Sequence, residues 1–449
     1  MLRTKDQVLS LLESALSRSP GDATELVYIE NREATTRFAE NVIHQNMDSS
    51  DARVIVRLVK DERVAISSTN DLSDSGLDRM LADAAQIASL LEPDQSFPGL
   101  SAAADPAAAV DAFHDATARS TPESRADAIV KLANQATSKN VQTSGLYQTE
   151  AQSIAVVNSL GVRQWHKETR GELSISASDD PTLGQGWSIG ASRDASQIDA
   201  IKLGGIAIDK AVRSRNPETI PAGDYTVILE PAAVGQMLLF LGFLAFSGKS
   251  FAQGRGVFSG KIGEKVTGEN ITIADDPFLP DYPGMPFDYE GTPKQKVALI
   301  ENGIARGVVH DRRSAKMAGV ESTGHALPPD NARGSYPKNL VMSAGDAAFD
   351  EMIASTDRGI LVTHFWYLNY LNPMKAQLTG STRDGTFLIE DGKITKPIRN
   401  MRATPAVLEA LSRVEMIGKD RSIYPQYSAI LYVPALKIAE FPFVEDTES

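Results

Sequence analysis

Apolar residues recur at helical spacing from the first residues of the chain onward. Thr4-x-x-Gln7 is typical of a capping box, and the apolar stripe that follows it from Val8 to Leu16 predicts an amphipathic helix that ends before Pro20. Similar stripes predict three more helices, over residues 77–91, 122–138 and 198–214.

Short apolar and β-branched segments between these helices predict strands. Leu26–Glu30 and Thr35–Phe38 are predicted as two strands that a polar turn separates. Arg53–Val59 and Arg63–Ser67 flank a charged turn and are predicted to form a hairpin. A further meander is expected within residues 145–192.

The last part of the chain combines one very apolar helix with many turns. Tyr225–Leu229 predicts a buried strand, and the run Met237–Phe246 after it predicts a helix that belongs either to the core or to an interface. Asn302-Gly303 and Asp391-Gly392 are turn sequences typical of antiparallel hairpins.

These patterns predict an α+β fold with three units. The N-terminal part is expected to form mixed α/β layers with antiparallel strands, and the C-terminal part a mainly antiparallel, barrel-like domain. The predicted boundaries are 1–95, 110–217 and 223–443, and the second unit is compatible with sharing a sheet with the first. Residues 92–109 lack periodicity and are rich in Pro, Ala, Ser and Asp, which favours a surface linker.

Charge and composition exclude several classes of function. The chain has 449 residues and a net charge of −13, from 45 basic and 58 acidic residues. An acidic balance of this size disfavours direct binding to nucleic acid. The ten-residue run at 237–246 is too short to cross a membrane, and residues 1–20 lack a signal peptide's continuous apolar stretch, so a cytoplasmic protein is expected.

The residues that carry catalytic chemistry form no familiar motif. The chain has no cysteine, which removes thiolate nucleophiles and sulfur ligands for zinc. Its six histidines include no pair three to five residues apart, so a local His-x-x-x-His metal pair is excluded.

Two polar segments remain as candidates for a substrate groove. His325 follows Ser322-Thr323-Gly324, and the alternative is a turn in which the imidazole satisfies backbone groups. Arg383 and Asp384 lie in the polar segment Thr379–Gly385, where they form either a solvated turn or a site for a peptide terminus, since Arg binds carboxylate and Asp accepts from ammonium.

Seven strings, in order along nearly the whole chain, resemble the TldD/PmbA (TldE) family, whose members are known both as modulators of DNA gyrase and as metalloproteases. The strings begin as follows: TRFAENVIHQN at Thr36, STNDLSDSGL at Ser68, RNPETIPAGDYTVILEPAA at Arg215, GRGVFSGKIGEKV at Gly254, FDYEGTPKQKVALIENGIARGVVHD at Phe287, STGHA at Ser322 and TGSTRDGTFLIEDGKITKPI at Thr379.

The chain departs from the catalytic branch of that family at the metal motif. In the TldD branch, His-Glu-x-x-x-His precedes the FSG string and a later Cys completes a zinc site. Counting back from Phe258-Ser259-Gly260, these positions fall on Leu239, Phe240 and Leu244. None of these side chains binds zinc or acts as a general base. In this respect the chain resembles the PmbA/TldE branch.

The resemblance implies a non-catalytic subunit of a TldD/TldE-type metalloprotease heterodimer that acts on unfolded or small ribosomally made peptides. Such a chain is expected to bind no cofactor, to be inactive alone, and to pair with a TldD-like subunit that carries zinc. The alternatives are a stand-alone homodimer that binds peptides, a regulator of a gyrase or toxin–antitoxin system, or an independent enzyme that uses His325 with Asp384.

Overall fold

The computed structural model describes residues 2–104, 110–427 and 429–444. Residues 105–109 of the predicted linker lie outside the described residues.

The first 200 residues build a six-stranded antiparallel sheet in the order β3-β2-β1-β4-β5-β6. Its strands are β1 Ala23–Ala39, β2 Val42–Lys60, β3 Arg63–Thr69, β4 Gln142–Asn158, β5 Arg163–Asp179 and β6 Gly184–Ser192. The predicted β2–β3 hairpin is present, and β1 to β3 share one sheet with β4 to β6. The boundaries between the first two units stay a prediction.

Helices cover part of this sheet. They are α1 Lys5–Ser17, α2 Asp74–Leu90, α3 Asp115–Ala118, α4 Pro122–Thr137 and α5 Ala200–Arg213. The capping box of α1 forms as predicted, since the Thr4 side chain accepts from the Gln7 backbone N–H and the Gln7 side chain accepts from that of Thr4. The apolar stripes of α1 and α2 pack with alternate residues of β1 and β2, among them Leu26 and Val54.

The two strands predicted at 26–30 and 35–38 are one strand. The polar residues between them remain paired on both sides, with Asn31 opposite Asp51 of β2 and Gln152 of β4. β1 is a central strand, so the backbone pairing on its two edges keeps a polar segment extended where a turn was predicted.

The rest of the chain forms an eleven-stranded sheet. Its strands are β7 Gly223–Leu229, β8 Ile273–Asp275, β9 Val297–Glu301, β10 Ile304–Ala305, β11 Asn339–Met342, β12 Arg358–Asn372, β13 Gln377–Glu390, β14 Lys393–Pro397, β15 Arg402–Ala403, β16 Val414–Gln426 and β17 Ala429–Val444. Two pairs, β7–β12 and β11–β17, are parallel, and the other pairs of named strands are antiparallel. β7 pairs with both β12 and β17.

The α+β class and the mainly antiparallel pairing are confirmed, whereas the C-terminal strands are described as one sheet and not as a barrel. Both predicted hairpin turns form: Asn302 and Gly303 join β9 to β10, and Asp391 and Gly392 join β13 to β14, with all four residues at positive φ.

The helices of this region are α6 Pro231–Leu244, α7 Gly248–Ala252, α8 Arg312–Ala318, α9 Phe349–Ala354 and α10 Val407–Ser412. Helix α6 carries most of the apolar run 237–246 and belongs to the largest core cluster, with Leu239 and Leu241 fully buried. Of the two alternatives given for this run, burial favours a helix of the core over a helix that lies in an interface along its whole length. No helix in the described ranges is long and apolar enough to span a membrane.

One face of the N-terminal sheet packs against helices α1 and α2. The side chains on the opposite face contact the C-terminal region. Val27 and Ile55 on this face pack against Met285 and Phe287 of the loop between β8 and β9. Beside them Glu25 is completely buried, with a carboxylate oxygen 2.9 Å from Nη1 of Arg57. Neither Glu25 oxygen meets hydrogen-bond geometry, so the attraction to Arg57 is mainly Coulombic. Burial raises the pKa of Glu25 to about 7.

Replacement of Glu25 by Gln should flatten the decline of stability between pH 5 and 8. The pKa of Glu25 is above its ordinary value in the folded chain, so the folded state keeps a proton that the unfolded chain releases from about pH 4.5 upward. This group therefore lowers the free energy of unfolding as the pH rises to about 7, by an amount on the order of 3 kcal/mol. Chemical denaturation at several pH values measures the slope.

Glu409→Gln is the control, because Glu409 is exposed on α10 and the substitution makes the same change in charge. Equal pH slopes for the wild type and Glu25→Gln would show that the buried carboxyl does not titrate in this range.

Candidate functional site

A groove of about 810 Å³ opens beside helix α6 and is lined by α6, β12 and the end of β16. We call it the aromatic groove because its lining includes Trp187, Phe240, Phe243, Tyr336, Phe365, Trp366, Tyr367, Tyr370, Tyr424 and Tyr427. Two of the chain's three Trp residues are among them. Aromatic walls are suited to binding apolar side chains of a ligand. The lining also contains the polar side chains of Gln236, Asn331, Arg333, His364, Asn369 and Gln426.

Helix α6 supplies one wall of the groove. The ring of Phe240 meets Tyr370 edge to face with centroids 5.0 Å apart, and Phe243 stacks on Tyr336 at 4.5 Å. The Arg333 guanidinium lies over the outer part of this wall, 4.7 Å from the centroid of Phe243. Tyr336 also donates from its hydroxyl to the carbonyl oxygen of Leu239, at 3.2 Å. The wall is therefore rigid.

One glutamine joins this helix to the opposite strand. Gln236 donates from Nε2 to the carbonyl oxygen of Phe365 at 2.9 Å and accepts from its backbone N–H at 2.7 Å. The pairing of β12 with β7 ends at Val362, so the backbone groups of Phe365 on that edge would otherwise be unpaired. The side-chain amide replaces a strand neighbour and sets the distance between the groove's two walls.

A histidine–aspartate pair lies at the floor of the groove. His364 Nε2 is 2.8 Å from Oδ2 of Asp384, and its Nδ1 is 3.0 Å from the carbonyl oxygen of Phe365. Trp187 covers the imidazole, with ring centroids 4.4 Å apart. Both ring nitrogens therefore face acceptor oxygens. Neither nitrogen is free to accept a proton from a substrate, which makes this pair a poor general base.

The predicted site residues Arg383 and Asp384 are next to this pair. Arg383 stacks its guanidinium over Trp366 at 4.2 Å, and its Nε is 3.4 Å from Oδ1 of Asp384. The segment predicted as a polar loop is part of β13, where a bulge places Asp384 and Gly385 at φ of 57° and 112°. An Asp-Gly pair tolerates these left-handed conformations, so the strand continues through a sequence that resembles a turn.

His325 has a different environment. Its Nε2 is 2.8 Å from Oδ1 of the fully buried Asp275, and its Nδ1 is 2.8 Å from the carbonyl oxygen of Thr323. The imidazole thereby holds the 322–325 loop against strand β8. Among the described residues no hydrogen bond joins His325 to Arg383 or Asp384. A groove that all three share stays a prediction.

The positions that correspond to the metal motif do not fit zinc. All three side chains at these positions are hydrocarbon. Leu239 and Phe240 line the aromatic groove, and Leu244 packs against the core. Within the described ranges, no group of three or more His, Asp or Glu side chains is arranged to hold a metal ion. The groove accordingly offers a surface for binding a ligand.

The sequence did not point to His364, Trp187 or the aromatic residues as site residues. One sequence signal was available for the residues of β12. Residues 364–370 read His-Phe-Trp-Tyr-Leu-Asn-Tyr, so aromatic residues occupy both faces of this strand. In an antiparallel sheet with one face in water, the solvent face of a strand ordinarily carries polar residues and not aromatic ones.

Comparison with known proteins identifies the chain as metallopeptidase-like. Sequence profiles of the PmbA/TldA metallopeptidase match in order: domain 1 over residues 24–88, the central domain over 102–215 and the C-terminal domain over 222–444. The chain belongs to the PmbA/TldD family.

Similar solved structures support the fold. TldE from Thermococcus kodakarensis superimposes with a TM-score of 0.87 at 23% identity, covering 98% of this chain and 99% of that one. A candidate modulator of a DNA gyrase from Thermotoga maritima gives a TM-score of 0.85 at 19% identity, with coverage of 98% and 99%.

Two curated relatives carry the name metalloprotease. One from Methanothermobacter thermautotrophicus is 27% identical over 62% of this chain and 63% of its own length. A TldD homologue from Haemophilus influenzae is 31% identical over 49% of this chain and 46% of its own length. These two alignments therefore cover less than two thirds of either relative.

The purified chain should contain no stoichiometric zinc. Hydrocarbon side chains occupy the three motif positions, and the sequence has no cysteine to complete the site. Metal analysis after purification without chelators tests this expectation, and one tightly held zinc per chain would contradict it. Introducing His, Glu and His at positions 239, 240 and 244 should still give no robust hydrolysis, because the remaining ligand and the supporting hydrogen bonds would be missing.

Proposed function

We propose that this chain is the non-catalytic subunit of a TldD/TldE-type metallopeptidase heterodimer that acts on unfolded or small ribosomally made peptides. The observation that carries the proposal is the hydrocarbon identity of Leu239, Phe240 and Leu244 on a helix of the core. A member of a metallopeptidase family with these residues needs zinc and a general base from another chain. The overall similarity to TldE is consistent with this role.

In this proposal the aromatic groove guides peptide toward zinc held by the partner. The groove is large enough for several side chains, and its apolar walls favour the residues that unfolded segments expose. Arg333 and Arg383, each over an aromatic ring, add positive charge at its walls. The chain's own residues therefore bind and orient peptide, whereas bond cleavage belongs to the partner.

An exposed apolar surface that shares Trp366, Tyr367 and Tyr427 with the groove is the proposed contact with the partner. Its residues lie at the end of the β12–β13 hairpin and at the β16–β17 connection: Trp366, Tyr367, Leu371, Met374 and Tyr427. Tyr367 and Tyr427 are 82% and 76% exposed. Large apolar side chains clustered at one place on a surface are typical of an interface.

A second candidate is a stand-alone homodimer that binds peptides without cleaving them. The aromatic groove by itself favours this candidate, because its lining is complete within one chain. The two candidates differ in whether a TldD-like chain needs this one.

Co-expression with a TldD-like paralogue, followed by size-exclusion chromatography and a peptide-cleavage assay, tests the accessory role. The two chains are expected to elute together, and cleavage is expected to require both. Full cleavage by the paralogue alone, without co-elution, would refute the accessory role. A homodimer that binds unfolded peptide and does not associate with the paralogue would support the second candidate.

Leu371→Asp should weaken association at least about hundredfold, since burying an unpaired carboxylate in an interface costs several kcal/mol. Leu90→Asp is the control, because Leu90 is also an exposed leucine but lies at the end of α2 in the N-terminal part. Association constants from sedimentation or titration calorimetry measure the difference. Equal affinities for the two variants would exclude the hairpin from the interface.

A further inference from the structure

A second cavity, of about 180 Å³, lies between the inner face of the N-terminal sheet and the C-terminal region. We call it the cationic cavity because its lining contains four basic side chains and two acidic ones: Arg170, Arg193, Lys294, Lys338, Glu150 and Glu168. Strands β4 and β5 supply one side. The loop between β8 and β9 and the start of β11 supply the other.

The two arginines and the two carboxylates of the cavity pair with each other. Arg170 lies 2.9 Å from Glu150, and Arg193 lies 2.9 Å from Glu168. Arg193 also donates to the carbonyl oxygens of Pro283 and Thr169. Both negative charges of the lining are thereby compensated within it.

The two lysines have no such partner. Lys294 is 7% exposed, and within the described residues neither its ammonium nor that of Lys338 makes a hydrogen bond or an ion pair. Nζ of Lys338 lies over the face of Tyr289, 4.9 Å from the ring centroid. Asp275, the acid that acts most strongly on Lys294, already accepts from His325 and from a backbone N–H with its two oxygens.

Two more donors at the cavity are unused. The hydroxyl of Tyr282 and Nε of Arg170 are buried, and neither has a hydrogen-bond partner among the described residues. Buried polar atoms are rarely left unpaired, and each such atom costs free energy. Both atoms belong to residues that line this cavity, and each can donate to an acceptor oxygen.

We infer that the cationic cavity binds a small oxyanion with two negative charges, such as inorganic phosphate or a short dicarboxylate. Two uncompensated ammonium groups match two negative charges, and the free hydroxyl and guanidinium N–H match the oxygen acceptors. The volume equals roughly six water molecules, which admits a compact anion but no long chain attached to it.

Burial lowers the pKa of both lysines, and this direction is consistent with the inference. A dianion between them would favour their charged forms. Because the lining comes from both parts of the chain, the bound anion would also join the N-terminal sheet to the C-terminal region. This inference is independent of the proposed function, since none of the groups proposed to bind the anion lines the aromatic groove, although Tyr427 borders both.

Titration calorimetry and thermal unfolding of the full chain test the inference, with inorganic phosphate and succinate as the probes and sodium chloride at equal ionic strength as the reference. At least one dianion is expected to bind saturably with one site per chain and to raise the melting temperature above the chloride reference. Binding of phosphate alone would assign the site to phosphate, and binding of succinate alone would assign it to dicarboxylates.

Lys294→Gln and Lys338→Gln should each weaken this binding at least about tenfold, because each removes a charged hydrogen-bond donor. Lys131→Gln is the control, since Lys131 is exposed on α4 and the substitution makes the same change in charge. Tyr282→Phe provides a variant that should keep the fold. It removes only the unpaired hydroxyl, so the anion should bind several-fold more weakly while the anion-free chain melts no earlier.

The inference would be overturned if neither dianion bound saturably or stabilised the chain more than chloride. It would also be overturned if Lys294→Gln and Tyr282→Phe bound the anion as tightly as Lys131→Gln does, because the anion would then bind elsewhere.

Discussion

Hydrocarbon packing of helix α6 is the constraint on which the C-terminal part of the molecule depends. Leu239 and Leu241 are fully buried, and each contributes on the order of 2 kcal/mol by leaving water. The same helix forms a wall of the aromatic groove and, through Gln236, holds β12 at a set distance. Charged metal ligands on this helix would lose the packing and require compensation for their burial. Core stability and metal chemistry therefore compete for the same positions.

The contact between the N-terminal sheet and the C-terminal region follows a different principle. Val27 and Phe287 belong to a small apolar cluster there, but charged groups surround it. Arg57 lies between Glu25 and Glu290, and in the cationic cavity positive charge exceeds negative charge. Buried charges contribute little net stability when paired and are costly when unpaired. This contact is thus sensitive to protonation and to bound ions, in contrast to the rigid core around α6.

Local patterns predicted the five longer helices (α1, α2, α4, α5 and α6) and the hairpins, because capping residues, apolar stripes and Asn-Gly or Asp-Gly turns act within a few residues. The short helices α3 and α7 to α10 were not predicted. They failed where pairing with distant strands outweighs local preference. The polar middle of β1 stays extended because β2 and β4 bind both of its edges. The Arg383-Asp384-Gly385 segment lies in a strand because a bulge accepts its left-handed conformations.

Residue identity alone determined that this chain has hydrocarbon at positions 239, 240 and 244, no cysteine, and the strings of its family, since none of these depends on how the chain folds. Tertiary structure alone decided which side chains meet. His364 pairs with Asp384 from another strand, Trp187 covers the imidazole from the N-terminal sheet, and Lys294 and Lys338 line one cavity. Such contacts join residues 20 to 180 positions apart, and helical or strand periodicity carries no information at that range.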